Sequence, residues 1–227
     1  MNYPNNKNER TALIIGISNG VVQQTALALA KQGFFVIYVD CRQALCDLLK
    51  QKLLEQGSSG WGIHSDYWDI REIKSLFNQL KACHGKLDLV ITHLNLECES
   101  LNSYQDSQLV ALCIHRAFTL CAESWLQLNA NGGVILNILP VKSRASSRTK
   151  AAYLSAGSAI TNLSDKFSND CVPYGIYCSA EKLSQNDERF AKEKANRLVN
   201  SIIKNIAAEN VPGTTQVENK TNRDLSV

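Results

Sequence analysis

TALIIGISNGVVQQTALALAKQGFFVIYVDCR, residues 11–42, is the stretch that decides the fold. Thr11–Ile15 is a short apolar run with β-branched residues, which predicts a buried parallel strand. Gly16-Ile17-Ser18-Asn19-Gly20 predicts a tight turn. Val21 to Lys31 then carries Val21, Val22, Ala26, Leu29 and Ala30 at helical spacing, and Gly33 stops the helix. Phe34–Val39 is a second apolar strand with Asp40 at its carboxyl end. A strand, a glycine turn, a helix and a strand ending in an acid form the entry unit of a dinucleotide-binding fold.

The same residues state what such a unit can hold. Gly16 permits a tight exit from the first strand. Gly20 lets backbone N–H groups at the helix N-terminus, Val21 among them, approach a pyrophosphate. Ser18 and Asn19 offer side-chain donors to the same phosphates. Asp40 can accept both ribose hydroxyls of NAD and would repel the 2′-phosphate of NADP, whereas Arg42, two residues on, partly reverses that preference. NAD is therefore favoured over NADP. The plain alternative for Asp40 is a solvated acid at a strand end.

Outward from this unit the alternation continues. Gln43–Glu55 predicts a helix, Trp61–His64 a strand, Ile70–Cys83 a helix, and Leu87–Thr92 a fully apolar strand. Leu109–Leu126 is a long amphipathic helix, Val134–Leu139 a strand, and Ala151–Phe167 a helix after the polar loop from Lys142 to Lys150. Gly175–Ser179 is a sixth strand and Glu188–Ala208 a last helix. Helices alternating with apolar strands predict an α/β, Rossmann-type doubly wound parallel sheet with helices on both faces, in a single domain. The expected organisation is a flexible leader over 1–10, the domain over 11–210, and a polar tail over 211–227, with at most a short edge strand at Thr214–Val217.

Composition narrows the function classes. The chain has 227 residues, 44% of them hydrophobic, enough for a sizeable core. A net charge of +3, from 24 basic and 21 acidic residues, is too small to imply nucleic acid or an anionic membrane. The polar start MNYPNNKNER resembles neither a signal peptide nor a span, so a cytoplasmic location is the expectation. The eight cysteines show no C-x-x-C pair and no zinc spacing, and read as reduced, mostly buried thiols.

Several ordered matches give the chain from Thr11 to Ser179 a resemblance to the short-chain dehydrogenase/reductase family. Ile15 to Val22 lies over that family's TGxxxGxG turn, and Asp66 falls where the family keeps an acid beside the adenine. Gly85-Lys86-Leu87-Asp88, the strand Val134–Ile138 after Gly132-Gly133, Ala152-Tyr153 and Val172 to Ile176 follow in register. The resemblance implies NAD(P) as cofactor, an oxidoreductase acting on a carbonyl or alcohol, and a homodimer or homotetramer. In that assembly the helices over Leu109–Leu126 and Ala151–Phe167 pair between subunits. A methyltransferase on a similar sheet fits less well, because Tyr153 and Asp66 are in register.

The family's catalytic set is asparagine, serine, tyrosine and lysine. The resemblance puts Cys113, Pro140, Tyr153 and Gly157 at those positions, so only the tyrosine remains. A free phenol titrates near 10, and bringing it to about 7 without a cation lacks about 4 kcal/mol. The missing serine donor removes on the order of 3 kcal/mol more. Lys150, three before Tyr153, can substitute for the lysine if the helix has already started, and Ser143, Ser146 or Ser147 for the serine. Otherwise Lys142, Arg144, Arg148 and Lys150 are a solvated basic loop and Tyr153 a core aromatic. Cys113 and His115, two apart on a helix, face different ways and read as packing rather than nucleophilic chemistry. Two departures fall in the cofactor half: Val22 replaces a glycine that allows close helix packing, and Thr92-His93-Leu94-Asn95 replaces small residues beside the ribose. Two readings follow: a divergent oxidoreductase using Tyr153, or a non-catalytic pseudoenzyme that binds a nucleotide or a partner and acts through oligomerisation.

Overall fold

The first strand, β1 (Arg10–Ile15), is an apolar run from Ala12 to Ile15 whose four side chains are all fully buried. They alternate between two faces: Leu13 and Ile15 pack into one core cluster, Ala12 and Ile14 into the other. Burial on both sides is what a parallel strand between two helix layers requires. The computed structural model describes residues 10–94, 106–139, 147–183 and 189–209.

Around β1 the chain lays down α1 (Gly20–Lys31), β2 (Phe34–Asp40), α2 (Gln43–Glu55), β3 (Gly60–His64), α3 (Ile70–Cys83) and β4 (Leu89–His93). It continues with α4 (Asp106–Leu128), β5 (Gly133–Leu139), α5 (Ser147–Cys171), a turn of 3-10 helix at Val172–Tyr174, β6 (Ile176–Lys182) and α6 (Ala191–Glu209). The six strands make one sheet in the order β3-β2-β1-β4-β5-β6, every pair parallel. Helices α1, α2 and α6 cover one face, and α3, α4 and α5 the other. The order reverses between β1 and β4, and the crevice outside their carboxyl ends is where such sheets take ligands. The expected single Rossmann-type sheet is what the chain forms.

Several boundaries moved for physical reasons. Arg10 belongs to β1, with its guanidinium 4.7 Å from the Phe34 ring centroid. The fourth strand starts at Leu89, because the Asp88 carboxylate accepts from the Thr11 backbone N–H and pairs with Lys86. Helix α5 starts at Ser147, inside the expected polar loop, and β6 runs to Lys182 because β5 lies beside it to Leu139. Residues 1–9 of the expected leader, the expected tail over 211–227 with its possible edge strand, and Lys142 to Ser146 lie outside the described residues.

Helix α4 is long and apolar enough, by length and composition, to cross a membrane. In the fold it buries Cys113, Ala117, Leu120, Cys121 and Leu128 against the sheet, as a core helix does. Beneath it runs a buried polar chain. Asn137 on β5 accepts from the Thr92 hydroxyl at 2.6 Å and donates to the Ser164 hydroxyl at 2.9 Å, tying β4, β5 and α5 together.

Candidate functional site

The turn from Gly16 to Gly20 sits at the switch point, at the carboxyl ends of β1 and β4. Gly16 has φ +82°, and a Cβ there would stand 2.1 Å from the His93 carbonyl oxygen, so no side chain fits. Its N–H donates to the Val39 carbonyl at 2.8 Å. Asn19 caps α1, its Oδ1 accepting from the Val21 N–H at 2.8 Å. That bond commits the Val21 N–H within the protein, and the Val21 side chain is fully buried. Ser18, Asn19 and Gly20 remain half-exposed at the helix N-terminus, where backbone donors and the helix dipole favour an anion. These residues fit a pyrophosphate. Val22 is fully buried, packed in the same core cluster as Ile14 and Ile17.

Asp40 takes a place that spacing did not show. It is fully buried, and Oδ2 accepts from the Ile17 N–H at 3.0 Å. Oδ1 accepts from the Arg42 N–H at 3.0 Å and from Arg42 Nε at 3.3 Å. The carboxylate therefore fastens the end of β2 to the glycine turn instead of facing outward as an open ribose acceptor. The Arg42 side chain is 52% exposed, and among the described residues its guanidinium bonds protein only through Nε. Among the described residues neither terminal nitrogen has a printed hydrogen bond to protein. Asp66 is exposed in the turn after β3, and its Oδ1 accepts from the Trp68 N–H at 3.0 Å. The structure thus brings Gly16, Ser18, Asn19, Gly20, Asp40, Arg42 and Asp66 to the carboxyl edge of β1, β2 and β3.

The catalytic half is barer. Tyr153 is buried on α5. One turn further, a Cβ on Gly157 would meet nothing within 4 Å, so the lysine position is open space. Because α5 starts at Ser147, Lys150 lies in the same helix three residues before Tyr153. Cys113 is buried on α4, and burial pushes its thiol up to about 12. His115, on the same helix, is exposed. Pro140, Ser143 and Ser146 lie outside the described residues.

Sequence reasoning missed one more group at this edge. Glu181, near the end of β6, pairs with Lys194 in the first turns of α6. The pair pins α6 to the sheet, and Ala191 stands 3.9 Å from where a Gly20 Cβ would be. Only residues 183–188 separate β6 from Arg189. No local signal marks this pairing, since Glu181 and Lys194 sit on different elements.

With the site described, comparison with known proteins is direct. Residues 10–187 match the family model of the short chain dehydrogenases. A 3beta-hydroxysteroid dehydrogenase of Mediterraneibacter gnavus is 24% identical over 177 residues, 76% of this chain and 64% of that protein. The uncharacterized oxidoreductase YxbG of Bacillus subtilis is 25% identical over 173 residues, 74% of this chain and 63% of that one. The chain thus spans less than two thirds of the length of these two relatives. Among solved structures, a metagenomic short-chain oxidoreductase in complex with NADP superposes with a TM-score of 0.71 at 15% identity, covering 89% of this chain and 93% of that chain. The citronellol catabolism dehydrogenase AtuB of Pseudomonas aeruginosa gives 0.69 at 17% identity, covering 85% and 87%.

Proposed function

Since the chain belongs to the short-chain dehydrogenase/reductase family, we propose that it is an NAD(P)-dependent oxidoreductase of a carbonyl or alcohol in which Tyr153 alone survives of the usual catalytic set. The observation that carries this reading is the glycine turn: Gly16 in a conformation closed to side chains, Ile17 fastened to Asp40, and Ser18 to Gly20 open at the start of α1. When bound, the cofactor supplies the hydride. Ser18, Asn19 and Gly20 hold its pyrophosphate, Asp66 its adenine, and Tyr153 gives or takes the proton at the substrate oxygen. The choice between NAD and NADP falls to Arg42. With Asp40 enclosed and bonded to Arg42, a 2′-phosphate meets the guanidinium rather than a bare carboxylate, which favours NADP.

The non-catalytic reading has its own support in the open space at Gly157 and in Cys113 packed in the core. On either reading the protein works as a homodimer or homotetramer through α4 and α5, whose Ile114, Phe118, Leu126 and Leu154 are exposed apolar side chains. A reducing, cytoplasmic setting agrees with the seven free thiols among the described residues.

Turnover decides between the two readings. A panel of aldehydes and ketones is screened with NADPH and NADH against the wild type and Tyr153→Phe. Turnover lost in Tyr153→Phe supports the oxidoreductase. Equal turnover in both proteins removes Tyr153 as the proton donor, and binding without turnover selects the non-catalytic reading.

A further inference from the structure

Ile17, in the middle of the glycine turn, is held at both of its backbone groups. Its N–H donates to Asp40 Oδ2 at 3.0 Å, and its carbonyl accepts from Gln23 Nε2 at 3.0 Å. Gln23 stands four residues after the cap Asn19, its own N–H bonded to the Asn19 carbonyl at 3.0 Å, and its side chain reaches back along α1 to the turn. Behind it is Lys52 on α2, whose ammonium donates to Gln23 Oε1 at 3.0 Å. An ammonium only donates and a backbone carbonyl only accepts, so the two neighbours together fix which way the Gln23 amide faces.

The consequence for the turn follows from amide geometry. A trans peptide is planar, with its C=O and N–H on opposite sides. Drawing the Ile17 carbonyl toward Gln23 therefore sets the direction of the Ser18 N–H, at the start of the half-exposed stretch Ser18 to Gly20. The charge on Lys52 polarises the Gln23 amide and strengthens the bond that it makes in turn. Docking of α2 on α1 does not require this arrangement. A second bond of the same length, from Gln56 Nε2 to the Leu27 carbonyl at 3.0 Å, ties the end of α2 to α1 away from the turn. Resting on the dinucleotide reading above, we propose that Gln23, backed by Lys52, is a positioning residue of this site: it orients the Ile17–Ser18 peptide for the pyrophosphate of the cofactor.

The test titrates NADPH into wild type, Gln23→Met and Gln56→Met. Each variant keeps an unbranched side chain of similar length and deletes one bond from a glutamine amide to a backbone carbonyl. Gln23→Met is expected to weaken NADPH about fivefold and Gln56→Met to leave it unchanged. In NMR spectra without ligand, the Ile17 carbonyl carbon should move upfield in Gln23→Met and stay in place in Gln56→Met. Equal affinity in wild type and Gln23→Met overturns the proposal, as does an unmoved Ile17 carbonyl. An equal loss in both variants also overturns it, because helix docking then carries the effect. Lys52→Met should weaken NADPH more than Lys50→Met, which takes the same charge from an exposed position on the same helix. In the Gln23→Met background the two lysine variants should cost the same. A Lys52→Met loss that is no larger than that of Lys50→Met, or that is undiminished without Gln23, overturns the relay. If Gln23→Met does not fold, the comparison of Lys52→Met with Lys50→Met decides alone. A wild type that does not bind NADPH is a different failure, that of the dinucleotide reading itself.

Discussion

Replacing Gly157 with lysine tests the account of the weakened site from two sides at once. Gly157 lies inside α5, and among the described residues nothing beyond its own chain neighbours and helix backbone comes within 4 Å of a built Cβ, so a β-carbon enters without a clash. Lysine is a better helix former than glycine by about 0.5–1 kcal/mol. Thermal unfolding should therefore rise by about 1–4 °C for a chain of this size. The cation would stand one turn after Tyr153, and an opposite charge within about 4–6 Å lowers the pKa of an acidic group by about 1–3 units. Each unit is about tenfold in the ionised fraction of the phenol near neutral pH. The assay follows loss of NADPH absorbance with a reactive carbonyl, with Gly157→Ala as the control that gains helix propensity without charge. Both variants should melt above wild type, and only Gly157→Lys should turn over at least about tenfold faster. If Gly157→Lys is destabilised, the space is not open. If both variants have the same rate while binding cofactor, Tyr153 is not the proton donor.

Other consequences are as specific. Arg42→Ala should weaken NADPH by about 10- to 100-fold, the worth of a charge-assisted hydrogen-bond pair, and leave NADH nearly unchanged; calorimetric titration of both cofactors reads this directly. Asn137→Ala strips partners from the buried Thr92 and Ser164 hydroxyls, and urea unfolding should show a loss of about 2–4 kcal/mol. Asp69, the N-cap of α3, is held down at about 2 by its hydrogen bonds from the Arg71 side chain and backbone. Its folded value lies below the ordinary one near 3.9, so its stabilising contribution is present above that value and fades as pH falls through about 2. An NMR carboxyl titration should find Asp69 near its lowered value in wild type and closer to the ordinary one in Arg71→Ala.

The parts of the fold legible in the sequence are those set by local chemistry. Helices α2 and α3 begin and end where the apolar spacing puts them, because breakers such as Gly57 and Gly85 and caps such as Asp69 act within a turn. The start of α5 was not legible. Its first residues, Ser147, Arg148, Thr149 and Lys150, are polar, and the apolar stripe that marks the helix begins only afterwards. The length of β6 was not legible either, since the pairing of Leu139 with Lys182 is tertiary.

The site divides the same way. Tyr153 and Gly157 can be placed by counting along one helix, and the glycine turn by its spacing. The inward bond from Asp40 to the Ile17 N–H joins residues 23 apart, and spacing alone made the same carboxylate look like an open ribose acceptor.

The central claim is that the glycine turn still holds a dinucleotide although the groups around Tyr153 have been lost. Isothermal titration of the wild-type protein with NADPH tests it most directly. The account predicts one saturable site per chain, competed by NADH. No heat of binding at millimolar NADPH or NADH would contradict it.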